Sequence, residues 1–238
     1  MSEFTSILLE PTRILDFFKE RRLPEPGYRI YTDRIVFSLK EGSYAESVED
    51  LLSELHREFS PSLLRSGNVP WVENLVKQLV QRKEMVSTAE SCTGGGIGAL
   101  LTEIPGSSRI YWGGYITYSN DAKVRLLGVP EQVLLERGAV SRETVSIMAK
   151  QAASFGKTQW AIAVSGIAGP TGGTAEKPVG TVYIALAGPE GYMRVEKFFF
   201  RGTRQEIRKK AACLSLLLLE SAVCKEFDID IEGLNVYI

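Results

Sequence analysis

The chain has 238 residues, 44% of them hydrophobic and 24% charged, with a formal net charge of −1. That is enough for one large domain, or a domain with a small companion, around a sizeable core. The charge balance gives no support to a surface built for nucleic acid, and no apolar run reaches the roughly 18 residues that span a bilayer. The start, Met1-Ser2-Glu3-Phe4, lacks the basic residues and apolar stretch of a signal peptide, so a cytoplasmic location without membrane contact is expected. Cys92, Cys213 and Cys224 are odd in number and widely spaced, which argues against a disulfide framework. No CxxC pair exists and His56 is the single histidine, so no zinc site is expected. His56 lies in Leu55-His56-Arg57-Glu58 and fits a solvated helix position better than a catalytic one. A hydrolase built on this chain therefore needs a base other than histidine.

Residues 1 to 70 are rich in charge and poor in glycine. Glu10 to Arg22 reads as a helix, with Pro11 tolerable in its first turn. Tyr28 to Leu39 alternates like a strand, with Tyr31, Ile35 and Phe37 spaced for pairing. Ser43 to Phe59 reads as a helix whose stripe is Val48, Leu51, Leu52, Leu55 and Phe59. Ser60-Pro61 and Ser66-Gly67-Asn68 break the pattern. Asn68 is a candidate cap for a helix with Pro70 in its first turn that runs to about Lys83.

From Met85 the texture changes to short apolar strands, glycine-rich turns and helices. Strands are predicted at Met85–Ala89, Ile110–Tyr118 and Trp160–Ser165, and as a hairpin at Gly180–Ala187 and Tyr192–Phe200. Helices are predicted at Thr93–Thr102, Asn120–Leu127, Pro130–Arg137 and Ser141–Phe155, with Ser141 as N-cap. The last, Thr203 to about Glu226, reads as long and amphipathic, with Leu214 to Leu219 as a buried segment. The fold class that follows is a layered α/β sandwich over residues 71–238 with a mixed sheet, preceded by a small α+β segment over residues 1–70.

Four motifs carry polar groups to strand ends. Glu90-Ser91-Cys92-Thr93-Gly94-Gly95-Gly96 places a nucleophile where a helix opens, and unpaired N–H groups there can hold an oxyanion. A capped turn would look the same. Tyr118-Ser119-Asn120-Asp121-Ala122-Lys123 puts Lys123 one turn into a helix; a lysine taken out of water can act as a base, although a solvated lysine has the same spacing. Ser165-Gly166, at the end of a buried strand, opens a long Gly/Pro loop to Pro178, which reads as a ligand loop or a structural turn. Arg204 at the start of the last helix suits a phosphate or carboxylate, or plain solvation.

The order AESCTGG, GSS, TYSNDAK, GAVS, VSGIAGPTGGT, KPVGTV and GTR resembles the CinA C-terminal family from about Val86 to Glu226. The resemblance implies a nicotinamide-nucleotide amidase, commonly dimeric, that needs neither metal nor cofactor. It would convert nicotinamide mononucleotide to nicotinic acid mononucleotide and ammonia. It further implies Ser91 as nucleophile, Lys123 as base and Tyr118 as the residue assisting it. Thr93, Gly94, Gly95, Asn120, Ser165, Gly166 and Arg204 are then the substrate-binding set. Full-length family members carry a molybdopterin-binding-like domain ahead of this region, which is not expected within these 238 residues. Tyr28 to Phe59 resembles the family's small KH-like linker, without a GXXG loop and so without an expectation of RNA binding. The alternatives are an amidase for a related nucleotide, or a non-catalytic nucleotide-binding protein linked to competence or DNA damage.

Overall fold

The computed structural model describes residues 2–6, 11–30, 35–40, 43–44, 47, 50–51, 53–55, 64–66 and 70–224. The chain divides into two compact units, Met1–Trp71 with Glu226–Ile238, and Val72–Lys225.

The first unit is a four-stranded antiparallel sheet of order β2-β3-β1-β4, from β1 (Ser2–Ser6), β2 (Gly27–Ile30), β3 (Ile35–Leu39) and β4 (Leu64–Ser66). Helix α1 (Pro11–Glu20) buries Ile14, Phe17 and Phe18, which recur at helical spacing. The single strand predicted over 28–39 is a hairpin instead, with Tyr28 opposite Phe37 and Ile30 opposite Ile35. Period-two alternation runs through both arms, so it cannot reveal a reversal between them. Tyr31 lies outside the described residues. In the helix predicted over 43–59, Asp50, Leu51 and Ser53–Leu55 are helical, with Leu51 and Leu55 buried. Val48, Leu52, His56 and Phe59 lie outside the described residues, as does Asn68.

Helix α2 (Trp71–Arg82) follows Pro70 and buries Trp71, Leu75 and Leu79 along one stripe. The second unit holds a five-stranded mixed sheet of order β6-β5-β7-β8-β9. Its strands are β5 (Val86–Glu90), β6 (Tyr111–Ile116), β7 (Trp160–Gly166), β8 (Thr181–Ala187) and β9 (Met193–Phe199). β6, β5 and β7 run parallel, whereas β8 and β9 are antiparallel to their neighbours. The helices are α3 (Gly96–Thr102), α4 (Asn120–Leu127), α5 (Glu131–Arg137), α6 (Arg142–Gly156) and α7 (Arg204–Cys224).

Small side chains set how closely helix and sheet approach. Ala161, Ala163 and Ala185 share a core with Val145, Met148, Ala149 and Ala152 of α6. Because side chains alternate along a strand, Ile162, Val164 and Ile184 face the other way. They are buried too, and α7 packs against β7, β8 and α3. Ser141 caps α6 as its sequence predicts, its Oγ accepting from the Thr144 N–H at 3.2 Å.

Helix α7 departs from the amphipathic expectation. Ile207, Lys210 to Ser221 and Val223 are buried, which covers every side of the helix rather than a stripe. Leu214 and Leu216–Leu219 already carry apolar surface further round than one face holds. No described helix is long and apolar enough to cross a membrane. The parallel strands β5, β6 and β7 all end at one edge of the sheet, and the candidate site lies there.

Candidate active site

Ser91 follows the last residue of β5. Its N–H donates to Val164 O at 3.0 Å, and the Thr117 N–H donates to Glu90 O at 2.8 Å, so both neighbouring strands hold the strand end. The chain then turns sharply: the Gly94 N–H donates to Ser91 O at 3.1 Å, and Gly94 and Gly95 adopt φ of +59° and +99°. That left-handed backbone favours glycine. The fully buried Glu90 carboxylate accepts from Thr93 Oγ1 at 2.7 Å and from the N–H groups of Gly95, Ile97 and Gly98 at 3.0, 3.1 and 2.9 Å.

The carboxylate thus takes N–H groups at the helix opening, Gly95 included, that a ligand could otherwise use. Glu90 seals the start of α3, and the Gly96 N–H donates to Thr93 O at 3.3 Å. The Thr93 hydroxyl is turned inward onto Glu90, and the Gly95 N–H is held by the same carboxylate. Among the described residues, the Cys92 and Thr93 N–H groups are the two in this turn without a partner oxygen.

Helix α4 brings the lysine to the serine. Ser119 caps it, its Oγ accepting from the Ala122 N–H at 3.0 Å. Lys123, one turn in, is only 1% exposed. Its Nζ donates to Thr117 O at 2.8 Å, to Ser91 Oγ at 3.1 Å and to Tyr118 O at 3.3 Å. Burial pulls its pKa down to about 8, against a weaker opposing effect of Cys92. The ammonium form has three protons for these three acceptors. The neutral amine keeps two on the backbone carbonyls and turns its lone pair toward the Ser91 hydroxyl.

Tyr118 meets the lysine through its backbone and Arg204 through its side chain. Its carbonyl touches Lys123, but its 60% exposed phenol accepts from Arg204 Nη2 at 2.8 Å. Arg204 Nη1 donates to Gly169 O at 2.7 Å, so the guanidinium bridges Tyr118 and the Gly/Pro loop. Ser165 is buried and its Oγ donates to Ala139 O at 2.8 Å. Ser91, Tyr118, Asn120, Lys123, Ser165, Gly166 and Arg204 line one cleft of about 180 Å³ with Cys92, Ala139, Val140 and Ala168. A volume below the roughly 300 Å³ of an ordinary ligand pocket suits the reacting end of a larger molecule.

Cys92 is adjacent to Ser91 but chemically unlike it. It is 5% exposed, and burial, aided by the Glu90 charge, pushes its pKa up to about 12. A thiol held that way is protonated at neutral pH. Two residues without an expected role are central to the turn: Glu90, and Arg208, whose Nε and Nη2 donate to Cys92 O at 3.0 Å and Thr93 O at 2.8 Å. Both left a trace in the sequence. Glu90 is an acid just ahead of a helix start, and Arg208 stands four residues from Arg204, on the same face. Ala139 and Val140 belong to the GAVS motif, for which no site role was expected. Among the described residues no group of His, Cys, Asp and Glu is placed to hold a metal ion.

The sequence profile of the CinA C-terminal domain matches residues 69–223. The chain belongs to that family. A CinA-like protein of Prochlorococcus marinus is 51% identical over 138 residues, covering 58% of this chain and 32% of that protein. A CinA-like protein of a Cyanothece species is 43% identical over 183 residues, covering 76% of this chain and 44% of that protein. The chain thus spans less than half the length of these curated relatives. Among solved structures, a competence/damage inducible protein from Agrobacterium tumefaciens is 42% identical, with a TM-score of 0.60 over 64% of this chain and 95% of that one. The competence damage-inducible protein A of Klebsiella pneumoniae is 31% identical, with a TM-score of 0.61 over 66% and 99%.

Proposed function

We propose that this CinA C-terminal domain hydrolyses the carboxamide of nicotinamide mononucleotide through an acyl-enzyme on Ser91. The observation that carries the reading is the Ser91 Oγ to Lys123 Nζ approach of 3.1 Å, with the lysine pulled down to about 8. Ser91 Oγ attacks the carboxamide carbon while its proton passes to Lys123 Nζ. The carbonyl oxygen becomes an oxyanion beside the Cys92 and Thr93 N–H groups. Collapse breaks the C–N bond, and the Lys123 ammonium returns the proton to the leaving nitrogen, which departs as ammonia. Water, deprotonated by the same lysine, then cleaves the ester to the acid and restores Ser91.

Arg204 uses two of its five N–H donors on protein oxygens, leaving others for the substrate phosphate. That contact, remote from the reacting carbon, supplies orientation. The nucleotide and the nicotinamide moiety come from the family resemblance, as does a homodimeric state, which light scattering checks. Incubating the purified chain with nicotinamide mononucleotide tests the activity, with ammonia and nicotinic acid mononucleotide measured together. Equal yields of both are expected, and nucleotide recovered unchanged would refute it. The solved neighbours named for competence and damage favour a second reading, a non-catalytic nucleotide-binding protein of that response. Saturable nucleotide binding without any ammonia would establish that one.

A further inference from the structure

We propose that Arg208 is a positioning residue that orients the oxyanion-binding N–H groups of the nucleophile turn, an inference that rests on the Ser91 hydrolase reading. The turn is gripped from two sides. Glu90 takes its N–H groups at Gly95, Ile97 and Gly98. Arg208 takes its carbonyls at Cys92 and Thr93, at 3.0 and 2.8 Å. The carbonyl of Ser91 accepts from the Gly94 N–H. Three consecutive peptide planes therefore have a fixed carbonyl edge.

In a trans peptide the N–H points opposite to the C=O. Holding Ser91 O fixes the direction of the Cys92 N–H, and holding Cys92 O fixes that of the Thr93 N–H. These are the two N–H groups of the turn without a partner oxygen among the described residues. The guanidinium also draws electron density toward the Cys92 carbonyl, which makes the Thr93 N–H on the same peptide a stronger donor. Glycine at 94 leaves the space this requires, because a Cβ there would stand 3.2 Å from Arg208 Nη2. The hydrogen bonds of Arg208 go to backbone carbonyls of the turn and not to Ser91 Oγ, so its grip on the site runs through the backbone.

The division of labour between two arginines on one helix face is therefore testable. In the full chain, Arg208→Ala should lower kcat for nicotinamide mononucleotide by about 10- to 100-fold, short of the roughly 10²–10³ seen when an oxyanion donor is removed outright. KM should stay within about twofold, since the substrate is not touched. Phosphonylation of Ser91 by a small fluorophosphonate, followed by intact mass, should slow in step. Added guanidinium should restore part of the rate to Arg208→Ala. Arg208→Lys, a point charge without the planar fork, should fall between the two. An unchanged kcat, a rise in KM alone, or a loss that tracks only the melting temperature without guanidinium rescue would overturn the proposal. Failure of the hydrolase reading looks different: wild-type protein would then neither release ammonia nor label at Ser91.

Discussion

If Lys123 is the base, activity must follow its neutral form, and the structure sets where that form appears. With a pKa of about 8, roughly a tenth of the lysine is neutral at pH 7 and about 1% at pH 6. At the ordinary value of 10.5 only about 0.03% would be neutral at pH 7, so burial raises the working base roughly 300-fold. Ammonia release measured from pH 6 to 10 should therefore show kcat/KM climbing about tenfold per pH unit and levelling above pH 8. Lys123→Ala and Lys123→Arg should each cost about 10²–10⁴, the second because a guanidinium keeps its proton. A flat profile between pH 6 and 9, or a normal limb in Lys123→Arg, would refute the assignment. The same shift affects stability. The folded pKa is lowered, so between pH 8 and 10.5 the unfolded state binds more protons and stability rises with pH. Below pH 8 the fold bears the full cost of the buried ammonium, about 3 kcal/mol. Lys123→Met lacks that cost, so its advantage in denaturant at pH 7 should shrink toward pH 10.

Ser91→Ala should lower turnover by orders of magnitude with the fold intact, whereas Cys92→Ala should leave turnover within a few-fold; an acyl group found on Cys92 by mass spectrometry would reverse the two roles. Arg204→Ala should raise KM for the mononucleotide far more than for the phosphate-free riboside, and equal losses on both would remove the phosphate from its account. Glu90→Ala strands three N–H groups and should cost about 3 kcal/mol. In a unit of this size that lowers the melting temperature by roughly 6–12 °C, and an unchanged melting temperature would show that the turn does not depend on the carboxylate.

Much of the second unit is legible in the sequence because its signals are local. Apolar runs end at turn residues, Ser119 and Ser141 cap their helices, and α4 spans Asn120–Leu127 as its pattern predicts. What is not legible depends on partners distant in the chain. The Tyr118 phenol meets Arg204, 86 positions later, and Arg208 meets Thr93 across 115. The sequence places Glu90 just ahead of a helix start, but its burial depends on the turn that folds back over it. In the first unit β1 pairs with both β3 and β4, although neither Ser2–Ser6 nor the three-residue Leu64–Ser66 carries an alternating pattern that announces a strand.

The change of direction between β7 and β8 has a consequence for how such a domain can diversify. A parallel neighbour would need a crossover helix laid against the sheet. The antiparallel one needs only a wide hairpin, and here its root is pinned by the Ile167 N–H on Thr181 O at 2.8 Å and the Gly180 N–H on Ile167 O at 2.7 Å. Everything from Ala168 to Val179 is then a tip that can gain, lose or exchange residues without re-registering a strand. The same tip contributes Ala168 to the cleft wall and the Gly169 carbonyl that holds Arg204. The wall of the cleft can therefore change by editing one loop, while the Ser91–Lys123 contact, set by β5, β7 and α4, stays where it is.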